Sequence, residues 1–78
     1  MNCIATCFSH FGAIRFKGLC QQNQWPAQLR PVPRDLSSSC GTCVWYQGAV
    51  PRQVPEEVEQ IVEIVGQGYR VLYRAEGS

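Results

Sequence analysis

The chain has 78 residues, a net charge of +1, and 45% apolar against 17% charged residues. This is the make-up of one small globular domain spanning residues 1–78, and it excludes a disordered chain. A domain this short buries only about 60% of its unfolded surface, so a surface loop site, or one completed by a partner, is easier to build than an enclosed cavity.

Residues 2–8 (Asn-Cys-Ile-Ala-Thr-Cys-Phe) are short, apolar and β-tolerant, and read as a first strand. Ser9 is a good helix N-cap, because its hydroxyl can accept from a free N–H of the first turn. The segment after it, His10 to Cys20, places Ala13, Phe16, Lys17 and Cys20 on one helical stripe. Gly12 and Gly18 each weaken this helix by roughly 1 kcal/mol against alanine, and can permit close packing onto a sheet. Ala27–Val32 alternates apolar and polar residues and reads as a second strand. Pro31 and Pro33 cannot donate to a ladder, so that strand belongs at a sheet edge. A loop over 33–41 leads into Thr42–Tyr46, a third strand rich in β-branched and aromatic residues. Pro55 suits a first helical position, and Glu56, Glu57 and Glu59 suit the positive end of a helix dipole. With Val58, Ile61, Val62 and Val65 at i, i+3, i+4 and i+7, they predict a second helix over 55–65. Tyr69–Arg74 is the last strand.

The expected fold is α+β: a ferredoxin-like plait of order β-α-β-β-α-β, with a four-stranded antiparallel sheet and both helices on one face. In that topology the first strand ends where the 33–41 loop sits and where the first helix begins. Ser9, His10, Cys7, Cys40 and Cys43 are therefore expected at one end of the domain.

Residues 1–34 carry Arg15, Lys17, Arg30 and Arg34 and no acid, whereas acids outnumber bases 6 to 3 from Asp35 onward. Scattered bases of this kind keep a surface solvated and would suit a small anion or an acidic partner. They are too sparse for a nucleic-acid footprint. No apolar run approaches the roughly 20 residues of a membrane span. No basic segment followed by an apolar stretch marks a secretory signal, so the cytoplasm is the expected location.

Five cysteines (Cys3, Cys7, Cys20, Cys40 and Cys43) are many for this length, and the odd count disfavours a secreted disulfide scaffold. Cys3 and Cys20 read as small buried hydrophobes. Cys40 stands out in the loop Pro33-Arg34-Asp35-Leu36-Ser37-Ser38-Ser39-Cys40-Gly41. Thiolate is the nucleophilic form of cysteine, and a helix N-terminus or nearby cation favours it. Ser38 and Ser39 supply hydroxyls and N–H groups for an anionic sulfur or selenium species. Gly41 would let the backbone turn closely after Cys40, Arg34 would add charge, and His10 would shuttle a proton near neutral pH. Other readings stay open. Cys40-Gly41-Thr42-Cys43 has the spacing of a dithiol redox motif, but it leads into a strand rather than a helix. Cys7, His10, Cys40 and Cys43 could together ligate zinc. A non-catalytic module that binds a ligand, or dimerises through a sheet edge, is also compatible with the size.

The loop from Pro31 to Gly41 resembles the signature of a family of small bacterial domains described as selenium/sulfur carrier-like, first catalogued as a domain of unknown function. The likeness extends to Phe8-Ser9-His10 at the helix start and, as pattern, to most of the chain. It implies that Cys40 is the functional cysteine and carries sulfur or selenium as a persulfide or selenyl-sulfide. The partners would be a donor enzyme and an acceptor protein. No cofactor is implied, and the role is that of a carrier rather than a stand-alone enzyme. Cys43 receives no role from the resemblance.

Overall fold

Among the described residues six elements follow one another: β1 (Asn2–Cys7), α1 (His10–Gln22), β2 (Ala27–Pro31), β3 (Thr42–Gln47), β4 (Val58–Val65) and β5 (Gly68–Arg74). The computed structural model describes residues 1–76. All strand pairs are antiparallel, in one sheet of order β2-β3-β1-β4-β5. The class is α+β, as expected. No helix among the described residues is long and apolar enough to cross a membrane.

The first half follows the sequence reading closely. Ser9 caps α1, its Oγ accepting from the Gly12 N–H at 3.0 Å. Ala13, Phe16 and Cys20 are buried on the stripe, while Lys17 is only half-buried. The helix ends at Asn23. Beyond it, Gln24 N–H donates to Gln21 O and Trp25 N–H to Cys20 O, the paired bonds of a Schellman closure. Gln24 takes the left-handed position at φ 61°. β2 lies at the sheet edge, where Pro31 costs no ladder bond.

The second helix is not formed, and the plait is corrected accordingly: one helix and five strands replace two helices and four strands. Residues 58–65 are β4, paired with β1 on one side and β5 on the other. Five of these eight residues are β-branched, which crowds a helix and suits a pleated surface. The strand is buried on both faces, so apolar residues fall next to one another and imitate helical spacing. Val58 and Ile61 join the core on the helix side, whereas Val62 and Ile64 pack on the opposite side. Gly66, at φ 58°, supplies the positive φ for the two-residue turn that returns the chain into β5. The connection 48–57 takes the place of the second crossover helix, while the plait's strand order β2-β3-β1-β4 is kept and β5 is added beside β4.

Ala5, Cys7, Val44, Tyr46, Val58 and Ile61 meet Ala13, Phe16 and Cys20 of α1 on one face of the sheet. Phe16 meets the edge of Tyr46 at 5.3 Å between centroids, and Trp25 stacks on Tyr46 at 5.7 Å. Val50 and Val54 of the 48–57 connection complete this layer. On the other face, Ile4, Cys43 and Val62 are covered by Val32 and Leu36 together with Trp45, Ile64 and Tyr69. Val32 and Leu36 lie in the segment that leads to Cys40. That segment is therefore a roof over the second face, not a free loop.

Candidate functional site

The site is built where β1 ends, α1 starts and the chain enters β3. Thr6 pairs with Cys43 across β1 and β3. On the other side of β1, Thr6 pairs with Gln60 and Cys7 with Val58, leaving Glu59 as an extra residue in a bulge. Bulges re-aim side chains, and this one turns Glu59 toward the loop.

Glu59 holds the loop. Its Oε1 accepts from the Ser39 N–H at 3.1 Å and from Thr6 Oγ1 at 3.3 Å, and its Oε2 accepts from Ser39 Oγ at 2.7 Å. Partial burial pushes the Glu59 carboxyl up, but the bonds from the Ser39 hydroxyl and N–H, helped by the Ser38 and Thr6 hydroxyls, outweigh it and leave the pKa lowered. Next along the strand, Gln60 is buried and donates to Ser37 O at 2.8 Å. Tyr69 of β5 donates to Asp35 Oδ1 at 2.9 Å. Within the loop, Leu36 N–H donates to Pro33 O, Val32 N–H donates to Gly41 O, and Cys40 N–H donates to Ser38 Oγ at 3.2 Å.

Cys40 is half-buried, and the other four cysteines are buried among the described residues. His10, the first residue of α1, is exposed and its Nδ1 lies 3.1 Å from Thr42 Oγ1, two residues beyond Cys40. Ser39 is anchored to β4 and Thr42 belongs to β3, so the intervening Cys40 and Gly41 cross the end of β1, whose last residue is Cys7. Burial pushes the Cys7 thiol up to about 12, and the next-largest cause is the charge that Cys40 would carry.

The sequence-predicted residues divide as follows. Ser9, His10, Ser38, Ser39, Cys40 and Cys43 do lie around the end of β1. Arg34 is exposed and forms no ion pair among the described residues. Gly41 has no left-handed φ and open space where a Cβ would stand, so the backbone does not require glycine there for the expected turn. Cys43 faces away from the helix side, its thiol donating to Pro31 O at 3.7 Å. Burial raises its pKa, while the Trp45 indole and Arg30 pull it down. Cys7 faces the helix side instead. The four-residue zinc set is therefore not assembled, and no group of three or more His, Cys, Asp or Glu side chains among the described residues is placed to hold a metal ion.

Sequence reasoning missed Glu59, Gln60 and Thr42. In the sequence Glu59 reads as a helix-dipole charge; the β-branched run around it is the signal that places it in a strand. No match was found among curated proteins or among solved structures. A family model described as "Putative Se/S carrier protein-like" matches residues 2–74, nearly the whole chain including the Cys40 loop. The chain belongs to this Se/S carrier protein-like family.

Proposed function

We propose that this protein is a sulfur or selenium carrier whose cargo is held on Cys40 as a persulfide or selenyl-sulfide. Its partners are a donor enzyme and an acceptor protein, and it acts without catalysing a reaction of its own. The observation that carries this reading is the exposure pattern: Cys40 alone among the five thiols reaches the surface, in a loop pinned to the sheet by Glu59 and Gln60. A carrier thiol has to be reachable by two successive partners, yet held in one place for both. Both Ser39 donors are taken by Glu59 and Ser38 Oγ accepts from the Cys40 N–H, so the serines hold the loop rather than the expected anionic sulfur, and the His10–Thr42 pair fixes the loop's other end. Family membership supports the same role. Incubation with a persulfide donor followed by intact-mass measurement tests it. The wild type is expected to gain one sulfur atom and Cys40→Ser none. Equal gain in both, or no gain in the wild type, ends the proposal.

A further inference from the structure

The outer face of α1 is apolar at positions where water favours polar residues. Phe11 is 63% exposed and Ile14 is 46% exposed. They stand at i and i+3, and Gly18 follows at i+7. All three therefore lie on the side of the helix opposite the buried stripe of Ala13, Phe16 and Cys20. A glycine inside a helix weakens it relative to alanine, and it suits places where two backbones approach closely. Gly12 meets that need within the chain, because a Cβ there would lie 2.6 Å from Glu57 Cβ. Gly18 does not, because a Cβ there would meet nothing within 4 Å. The bare backbone at Gly18 and the exposed ring of Phe11 thus have no use inside the folded chain, yet they share one face.

We propose that a second copy of this chain docks on this face, the two α1 helices packing antiparallel about a two-fold axis that passes between Ile14 and Arg15. Residues 11 and 18 are equally far from that axis along the helix. Each Phe11 ring therefore falls on the bare backbone of the partner's Gly18, and the two Ile14 side chains meet at the centre. The face carries both a protruding group and the gap that receives it, symmetrically placed. A two-fold contact needs that self-complementarity, whereas a contact with an unrelated protein does not.

Charge does not oppose the pairing. Arg15, the basic residue beside the axis, is paired with its own Glu57 at 3.5 Å and lies over its own Phe11 ring at 5.7 Å, so its charge is answered within each copy. A contact confined to α1 covers on the order of 1,000 Å² in total, at the lower limit for a specific pair, so the dimer is weak and reversible. The Cys40 loop touches α1 only at its start, through His10 and Thr42, and is otherwise anchored to Glu59 and the roofed face. Pairing leaves both thiols open and does not depend on what they carry.

Sedimentation equilibrium of the full chain, kept reduced, tests this between about 10 μM and about 1 mM. The wild-type mass is expected to rise from one chain toward two, and Cys40→Ser is expected to behave as the wild type. Phe11→Ala and Gly18→Ala are each expected to associate at least about tenfold more weakly. Gly18→Ala is the sharper of the two, because it strengthens the helix while filling the gap, so a loss of association there is not a loss of folding. In the Cys40→Ser background, Ile14→Cys should join two copies through position 14 on mild oxidation. A wild type that stays monomeric throughout overturns the inference. So does equal association in wild type and both α1 variants, which would put the contact elsewhere, or association lost in Cys40→Ser, which would make it a disulfide. Ile14→Cys that associates without a bond between the two positions 14 overturns the antiparallel arrangement.

Discussion

Glu59 accepts two hydrogen bonds from Ser39, at 3.1 Å from its N–H and 2.7 Å from its hydroxyl, so β4 grips the residue immediately before Cys40. Glu59→Ala removes both bonds and the one from Thr6. We expect a loss of about 1–2 kcal/mol in chemical denaturation and faster hydrogen exchange over residues 37–41. Unchanged exchange at Ser39 would show that the grip is not needed to order the loop.

The same latch has a defined pH window. The folded carboxyl is held below its ordinary value, so the unfolded chain takes up the proton first as pH falls. The contribution of the latch is complete above about pH 4.3 and is lost as pH drops through the lowered folded value. Exchange protection of the Ser39 amide should follow that titration, and in Glu59→Gln the protection should be independent of pH over this range apart from the intrinsic rate.

At high pH the thiols act in the opposite sense. Burial pushes Cys7 up to about 12 and Cys20 up to about 11, and raises Cys3 and Cys43 as well. In the unfolded chain these thiols ionise near 8.5, so it releases protons that the folded state keeps. Stability is therefore expected to fall as pH rises above about 8.5, readable as a declining melting temperature between pH 8 and roughly 10 under reducing conditions. Native alkylation near neutral pH should modify Cys40 first and the buried four only on unfolding.

Two glycines of α1 should respond oppositely to alanine. A Cβ on Gly18 meets nothing within 4 Å, so Gly18→Ala is expected to stabilise by about 1 kcal/mol through helix propensity. A Cβ on Gly12 would lie 2.6 Å from Glu57 Cβ, which is too close. Glu57 is also held by its carbonyl bond to Phe8 N–H and by the Arg15 ion pair at 3.5 Å. Gly12→Ala should therefore destabilise by about 1–3 kcal/mol. Thermal melts of the two variants separate the effects.

At the other end of α1, Gln24 occupies a left-handed position that strains any side chain. Gln24→Gly should raise stability by about 0.5–1 kcal/mol, measured by urea denaturation. A loss instead would mean that the Gln24 side chain holds the closure in a way that outweighs the backbone strain.

Much of the site could be read from the residues, because it depends on local chemistry. Ser9 has one good use, as a cap. Pro31 and Pro33 confine β2 to an edge, and a serine-flanked cysteine in a loop is hard to bury. The part that escaped depends on burial from two sides. In β4, Ile61 and Val62 are adjacent yet face opposite layers, so the spacing of apolar residues carries no information about period. Once Val58–Val65 is read as a helix, Glu59 becomes a dipole charge and its bond to Ser39 is lost from view. The Cys40–Cys43 spacing is uninformative for a similar reason: sequence separation does not report which face of a sheet a side chain takes.

The roof formed by residues 32–41 ties the chemistry of this protein to its solubility. Leu36 and Val32 shield Ile4, Cys43 and Val62, so any partner that draws the segment outward to reach deeper than Cys40 also bares an oily layer between two open sheet edges. Productive hand-over must therefore take place with the segment seated, by a partner that reaches in from the end of β1. A bulky group left on Cys40, or an oxidised sulfur that no longer fits, would push toward aggregation before it merely blocked exchange.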